Sequence, residues 1–222
     1  MGVLRLSVSK KFAKKILGRI YLVLPSRLKF GLIHSFSLFG VSDSKSGPGS
    51  DAIQTREIVS SLPELFKKYN VKSVLDVPCG DLNWMPNLFP FIEQYTGADI
   101  VSDLIVSNRL KFPGKDFIEV DVRKDSLKKY DLIFCRDLLV HLSNSDSQKV
   151  LSQFKKSGSK YLLITSFTER KFNQELQGIW RPMNLELPPY NLINIIEILN
   201  EKCTEAKGQY LDKSLILVPL NP

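Results

Sequence analysis

The stretch VLDVPCGDL, residues 74–82, decides how the rest of this chain is read. An apolar run, Ser73–Val77, carries Asp76 near its end and runs into a tight Pro-Cys-Gly-Asp turn. A helix-like segment, Leu82–Phe91, follows. A buried strand that feeds a small-residue turn and then a helix builds a nucleotide-binding corner. Gly80 has no Cβ, so a ligand can approach the backbone there. A pyrophosphate cradle wants several glycines, and Pro78 and Leu82 stand at two of those places. The turn therefore suits a nucleoside held by side chains rather than a dinucleotide.

Working outward, strand-like runs recur at Gln94–Ile100, Asp116–Val122, Tyr130–Arg136, Tyr161–Phe167 and Ser214–Leu220. Helix-like stretches lie between them at Val101–Leu110, Ser145–Lys156 and Leu192–Glu201, and Cys203–Tyr210 offers one more strand. Alternation of this kind predicts an α/β fold, doubly wound around a mainly parallel sheet. Trp180–Pro189, WRPMNLELPP, is too Pro-rich for either element and reads as a long, functional loop.

The body of that fold spans residues 51–222; residues 1–50 form an arm and linker. All of the net charge of +8 sits in the arm, which holds nine Lys/Arg against one acid, Asp43. The remaining 22 basic and 22 acidic residues cancel, so the body carries no basic excess for a nucleic-acid backbone. Within the arm, Phe12, Ala13, Ile16, Leu17 and Ile20 share one helical face and Lys10, Lys11, Lys14, Lys15 and Arg19 the other. Such a helix either caps the core with a solvated lysine face or lies on an anionic membrane surface. No apolar run reaches the length of a membrane span. Cys79, Cys135 and Cys203 are an odd, sparse set without CxxC spacing. They suggest neither a disulfide framework nor a metal site, and they fit a reducing, cytoplasmic setting, at the inner face of the membrane if the arm binds there.

In an open α/β sheet, ligands bind beyond the carboxyl ends of the strands. Asp76 and Asp81 flank the first strand end and can hold an ammonium group or a bridging water. Asp99, 19 residues past Gly80, is placed to accept ribose hydroxyls. Asp121 can accept an exocyclic amine, with Ile100 and Val122 as apolar walls. Thr55 and Arg56, just after the SDSKSGPGS linker at 42–50, are available for a carboxylate. A nucleoside with a positive centre suits this acidic rim, and S-adenosyl-L-methionine (SAM) is such a ligand. Of two histidines, His34 lies in the arm. His141, shortly after the fourth strand, either acts as a general base or packs against the following helix. Asp137 can orient it or act itself. Arg136 binds an anion or pairs with Asp137. Trp180 and Arg181 are candidate substrate-binding residues in the Pro-rich loop.

These segments together resemble the class I SAM-dependent methyltransferases. VLDVPCGD is similar to their first motif, GADI to the second-strand acidic motif, EVDV to the adenine motif and YDLIFCRDLLVHL to the fourth-strand motif. YLLITSF and DKSLILVPL resemble the fifth and last strands. The resemblance runs from Ser73 to the C-terminus. DVPCGDLNWM, CRDLLVHL and WRPMNLELPPY are similar to a bacterial subgroup of these enzymes. It implies a seven-stranded Rossmann-like sheet, SAM as methyl donor and a small-molecule or glycan acceptor, methylated at oxygen. An NAD-linked oxidoreductase and a non-catalytic SAM-binding module are the alternatives on such a fold. A nucleic-acid methyltransferase is disfavoured, because CRDLLVH stands where a D/NPPY-type motif would follow the fourth strand.

Overall fold

The computed structural model describes residues 24–36, 44 and 46–220. The amphipathic arm helix read at residues 12–20 lies outside them. Seven strands form one sheet: β1 Ser73–Asp76, β2 Gln94–Asp99, β3 Asp116–Glu119, β4 Leu132–Cys135, β5 Tyr161–Phe167, β6 Glu197–Asn200 and β7 Lys213–Pro219. Their order is β3-β2-β1-β4-β5-β7-β6. β1 to β5 run parallel, while β7 lies antiparallel to both β5 and β6.

Side chains that alternate along the central strands divide between two cores. Leu75, Ile133, Leu162, Ile164 and Ile216 face one side, where helix α4 (Asn144–Lys156) contributes Val150 and Phe154. Val74, Leu132, Phe134, Leu163 and Leu217 face the other, against helices α2 (Ala52–Lys68) and α3 (Ser102–Lys111). From α2, Ile58, Leu62 and Phe66 are buried, and each such burial contributes on the order of 1.5–3 kcal/mol. Asp51 caps α2 by accepting from the Gln54 N–H at 2.8 Å, and Ser143 caps α4 by accepting from the Asp146 N–H at 3.1 Å.

Three expected elements differ. The helix read at Leu82–Phe91 is a 3-10 segment, Met85–Phe91, because Pro86 and Pro90 withhold amide donors. The helix read at Leu192–Glu201 is an irregular segment followed by β6, whose Ile-rich run pairs with β7 from Glu197↔Leu217 to Asn200↔Ser214. The extra strand offered at Cys203–Tyr210 is a turn, with Ala206 and Lys207 in left-handed conformation. A helix not anticipated, α1 (Ser26–Phe36), sets Phe30 against the first core and pairs Arg27 with Glu119.

Candidate functional site

Parallel strands align their carboxyl ends, and a cavity of about 590 Å³ opens there. Residues of β1, β2, β4 and the loops that follow them line it. The β1 turn is shaped by two left-handed residues, Gly80 at φ +58° and Leu82 at φ +57°. Leu82 thus adopts a backbone conformation that glycine takes freely. Its side chain is buried, which offsets the steric cost. A Cβ at Gly80 would come within 2.4 Å of Ser46 Oγ, so a side chain there would displace Ser46 as well as strain the left-handed backbone.

That segment forms a strap over the cavity, and residues 46–50 all line it. Ser44 and Ser46 donate hydroxyl hydrogens to the Asp81 carboxylate at 3.0 Å, and the Asp81 N–H donates to Ser46 Oγ at 3.1 Å. Asn83 Nδ2 donates to the Ser50 carbonyl at 3.1 Å. At its other end the strap runs over a buried ionic cluster. A Cβ on Gly49 would sit 3.4 Å from Asp137 Oδ2 and 3.3 Å from Glu205 Oε2.

The strand-end acids are buried together. Asp76 accepts a 2.6 Å bond from the Tyr95 hydroxyl, and burial pushes its carboxyl up to about 7. Asp99 accepts from the Gly80 N–H at 3.2 Å and the Val101 N–H at 3.0 Å. Burial raises it to about 6. The Gly80 amide, which would cradle a phosphate in a dinucleotide site, is thus turned onto a carboxylate. Asp121 lies in a fork of Arg123, at 2.6 and 2.8 Å, and these bonds hold its carboxyl below the usual range. Ile100 and Val122 line the cavity beside these acids, as does Pro78.

Beyond β4 the cavity has a second half. Asp137, at φ +57°, lies between Lys213 Nζ at 2.6 Å and Arg136 at 3.4 Å. Arg136 is paired with Glu201 at 2.7 Å and stacks at 5.8 Å from the Trp84 ring. Burial alone would raise the Asp137 carboxyl, but Lys213 and Arg136 outweigh it and hold it at about 2. The β7 strand explains how Lys213 arrives. Because β7 is antiparallel, it begins at the carboxyl edge of the parallel strands, opposite Phe167 at the end of β5. β6 runs the other way, so Glu201 emerges at the same edge. Sequence reasoning that looked only past strand ends missed Lys213, and it placed Glu201 in a helix. A lysine heading the apolar run SLILVPL was the available signal.

His141 lines this half, with Nδ1 2.6 Å from the Ile179 carbonyl oxygen. A carbonyl only accepts, so Nδ1 carries the hydrogen and Nε2 is the basic nitrogen. Burial lowers the ring's pKa and keeps it neutral near pH 7. Trp180 lines the cavity too, packed at 4.9 Å from Tyr210 and 5.7 Å from Phe167.

Three sequence candidates fall elsewhere. Thr55 is buried in the first turn of α2, donating to the Asp51 carbonyl at 2.7 Å, and Arg56 points to solvent. Neither lines the cavity. Arg181 is buried as a clamp of the Pro-rich loop, donating to the Leu142 carbonyl, to Asn144 Oδ1 at 2.7 Å and to the Tyr190 hydroxyl at 3.0 Å. Arg136 lines the cavity but is committed to Glu201 and Asp137. All three cysteines are buried and free of disulfides. Among the described residues there is no group of side chains able to hold a metal ion, and no helix long and apolar enough to cross a membrane.

No protein-family model matches the chain, and no curated protein matches it. Solved structures do. Magnesium protoporphyrin IX methyltransferase of Synechocystis, with bound SAH, superposes with a TM-score of 0.61 over 87% of this chain and 97% of its own, at 13% identity. The fold is a methyltransferase fold. The N-methyltransferase NodS of Bradyrhizobium japonicum gives a TM-score of 0.59 at 16% identity, over 78% of this chain and 98% of its own. A SAM-dependent methyltransferase of Clostridium acetobutylicum gives 0.56 at 16% identity, over 75% and 92%. One half of the cavity lies at the ends of β1 and β2, and the half bearing His141 lies beyond β4.

Proposed function

We propose that this chain is a SAM-dependent methyltransferase that acts on a hydroxyl of a small molecule or glycan. The observation that carries the proposal is the buried set Asp76, Asp99 and Asp121 at the carboxyl edge of a methyltransferase fold. Among the described residues lining the cavity, Arg123, Arg136 and Lys213 are each ion-paired within the protein. Among these residues no unpaired cation is left to take a pyrophosphate, whereas a cationic nucleoside matches Asp76 and Asp99, which accept from the Tyr95 hydroxyl and backbone amides rather than from a cation. The similar Synechocystis methyltransferase with bound SAH and the SAM-dependent methyltransferase of Clostridium acetobutylicum support the same donor.

In this reading Asp99 holds the ribose hydroxyls, Ile100 and Val122 enclose the adenine, and Asp121 accepts its amine. Asp76 and Asp81 face the ammonium end of the donor. When bound, SAM supplies an electrophilic methyl carbon: the acceptor oxygen bonds to it and the C–S electron pair remains on sulfur. His141 takes the hydroxyl proton on Nε2, with its Nδ1–H anchored on Ile179. Asp137 stabilises the imidazolium that forms. The strap keeps water from the donor.

Isothermal titration with S-adenosylhomocysteine tests the donor directly. Binding with one site per chain is expected, and a flat titration against folded protein overturns the proposal. For the base, His141→Gln should lower the rate of methyl transfer by about 10²–10⁴-fold with donor affinity retained. A variant as fast as the parent would remove His141 from the mechanism.

A further inference from the structure

The half of the cavity beyond β4 carries its own chemical specification. Two cations, Arg136 and Lys213, meet three carboxylates there, Asp137, Glu201 and Glu205. The cluster is therefore one negative charge in excess. Arg136, Lys213 and Glu201 are almost wholly buried, with side-chain exposures of 6%, 4% and 1%. Asp137 and Glu205 remain partly open, at 23% and 29%. The Trp180 and Tyr210 rings line the same cavity, each packed edge-to-face on Phe167, at 5.7 and 5.8 Å. Rings, carboxylates and His141 thus share one cavity.

Resting on the methyltransferase reading above, we infer that the acceptor is a neutral sugar, held with its C–H face on Trp180 and Tyr210 and its hydroxyl edge towards Asp137 and Glu205. An anionic acceptor is disfavoured by charge. Both cations are neutralised within the cluster, so a carboxylate or phosphate would meet net repulsion. An amine is disfavoured by chemistry. The acidic wall stabilises its ammonium form, which has no lone pair to attack the methyl carbon. A hydroxyl needs no prior deprotonation, and its proton passes to His141 Nε2 as the C–O bond forms and the C–S bond breaks. A flat phenol would use the rings but leave the carboxylates without donors. A sugar offers an apolar face together with several hydroxyl donors, and a lysine-paired carboxylate keeps lone pairs to accept them.

The test uses the full chain with labelled SAM and a matched panel: neutral methyl hexosides and deoxyhexosides, the corresponding uronate and sugar phosphate, and the amino sugar. Label should enter a neutral glycoside at least about tenfold faster than its charged counterparts, the scale set by one uncompensated like-charge contact. Binding is read separately by tryptophan fluorescence of the SAH-saturated protein. The glycoside should change the emission of the parent protein, and Trp180→Phe should abolish that change. Tyr210→Ala should raise the glycoside KM about three- to tenfold, as loss of one stacking ring does, while SAH affinity stays unchanged. Preferential labelling of the uronate, phosphate or amine overturns the inference, and so does SAH binding without labelling of any neutral glycoside. Failure to bind SAH at all would instead strike the donor assignment, so the two failures are distinguishable.

Discussion

At the scale of single residues, two buried carboxyls link the proposed donor binding to proton release. Asp76 and Asp99 are raised from 3.8 to about 7 and about 6 because burial disfavours their charge. A carboxyl raised in the folded state stabilises the fold fully below its unfolded pKa, and that contribution is lost as pH rises through about 6 and then 7. The empty protein should therefore lose stability as pH rises from about 4 to about 7. A cationic ligand favours the carboxylates, so its binding should release protons near pH 6.5 and tighten as pH rises. Titration calorimetry with SAM in two buffers of different ionisation enthalpy reads this release, and equal heats in both would contradict it. Leu82 gives a second prediction. A buried Leu→Ala change costs about 2–5 kcal/mol. The left-handed Cβ strain of about 1–2 kcal/mol persists in alanine and vanishes in glycine. Glycine loses about 0.8 kcal/mol more for the extra buried carbon and about 0.4–1 kcal/mol through unfolded-chain entropy. Leu82→Gly and Leu82→Ala should thus have nearly equal Tm. A glycine variant clearly less stable than alanine would show that the left-handed turn carries no strain.

At the scale of elements, the strap 46–50 is fastened by few bonds and is accordingly the part of the site with least local stability. Ser46 both donates to Asp81 and accepts from its amide. Ser46→Ala should cost about 0.5–1.5 kcal/mol per bond removed. It should also speed amide exchange at residues 46–50 while α2 and the sheet keep their protection. Unaltered exchange in the strap would mean that Gly49 over the ionic cluster, not Ser46, sets its position. This element also shows what could be read in advance. SDSKSGPGS was legible as a linker able to close over a ligand, because glycine and proline mark such turns. That its serines would seat on Asp81 depends on a contact 35 residues away, which no local pattern encodes. β1, β4 and β5 were legible because both of their faces are buried under apolar runs. β6 was not, since its alternate side chains are half-exposed and its identity as a strand comes from pairing with β7. Asp99 and Asp121 could be placed from strand ends alone. Arg181 could not, because its partners in the 142–144 turn and at Tyr190 meet it only in the fold.

At the scale of the whole molecule, the ionic cluster joins the two halves of the sheet. Arg136 follows β4, Glu201 follows β6 and Lys213 opens β7, so three strands distant in sequence depend on one another's charges. The group is buried, and its worth lies in mutual satisfaction rather than in attraction as such. Removing Glu201 alone leaves Arg136 without its closest counter-charge and Lys213 with Asp137 as its remaining near partner. Breaking a buried pair in this way costs about 3–5 kcal/mol. Replacing both members of such a pair by apolar residues of similar size is often close to neutral, because neither desolvation penalty remains. Glu201→Leu and Arg136→Met should therefore each unfold at a denaturant midpoint well below that of the parent. The double variant Arg136→Met, Glu201→Leu should recover much of that loss, since Lys213 keeps its 2.6 Å bond to Asp137. The double-mutant cycle then reads a coupling energy between strands β4 and β6. Additive losses would mean that Arg136 is compensated by Asp137 and the Trp84 ring, and that β6 docks on β7 through the backbone ladder alone.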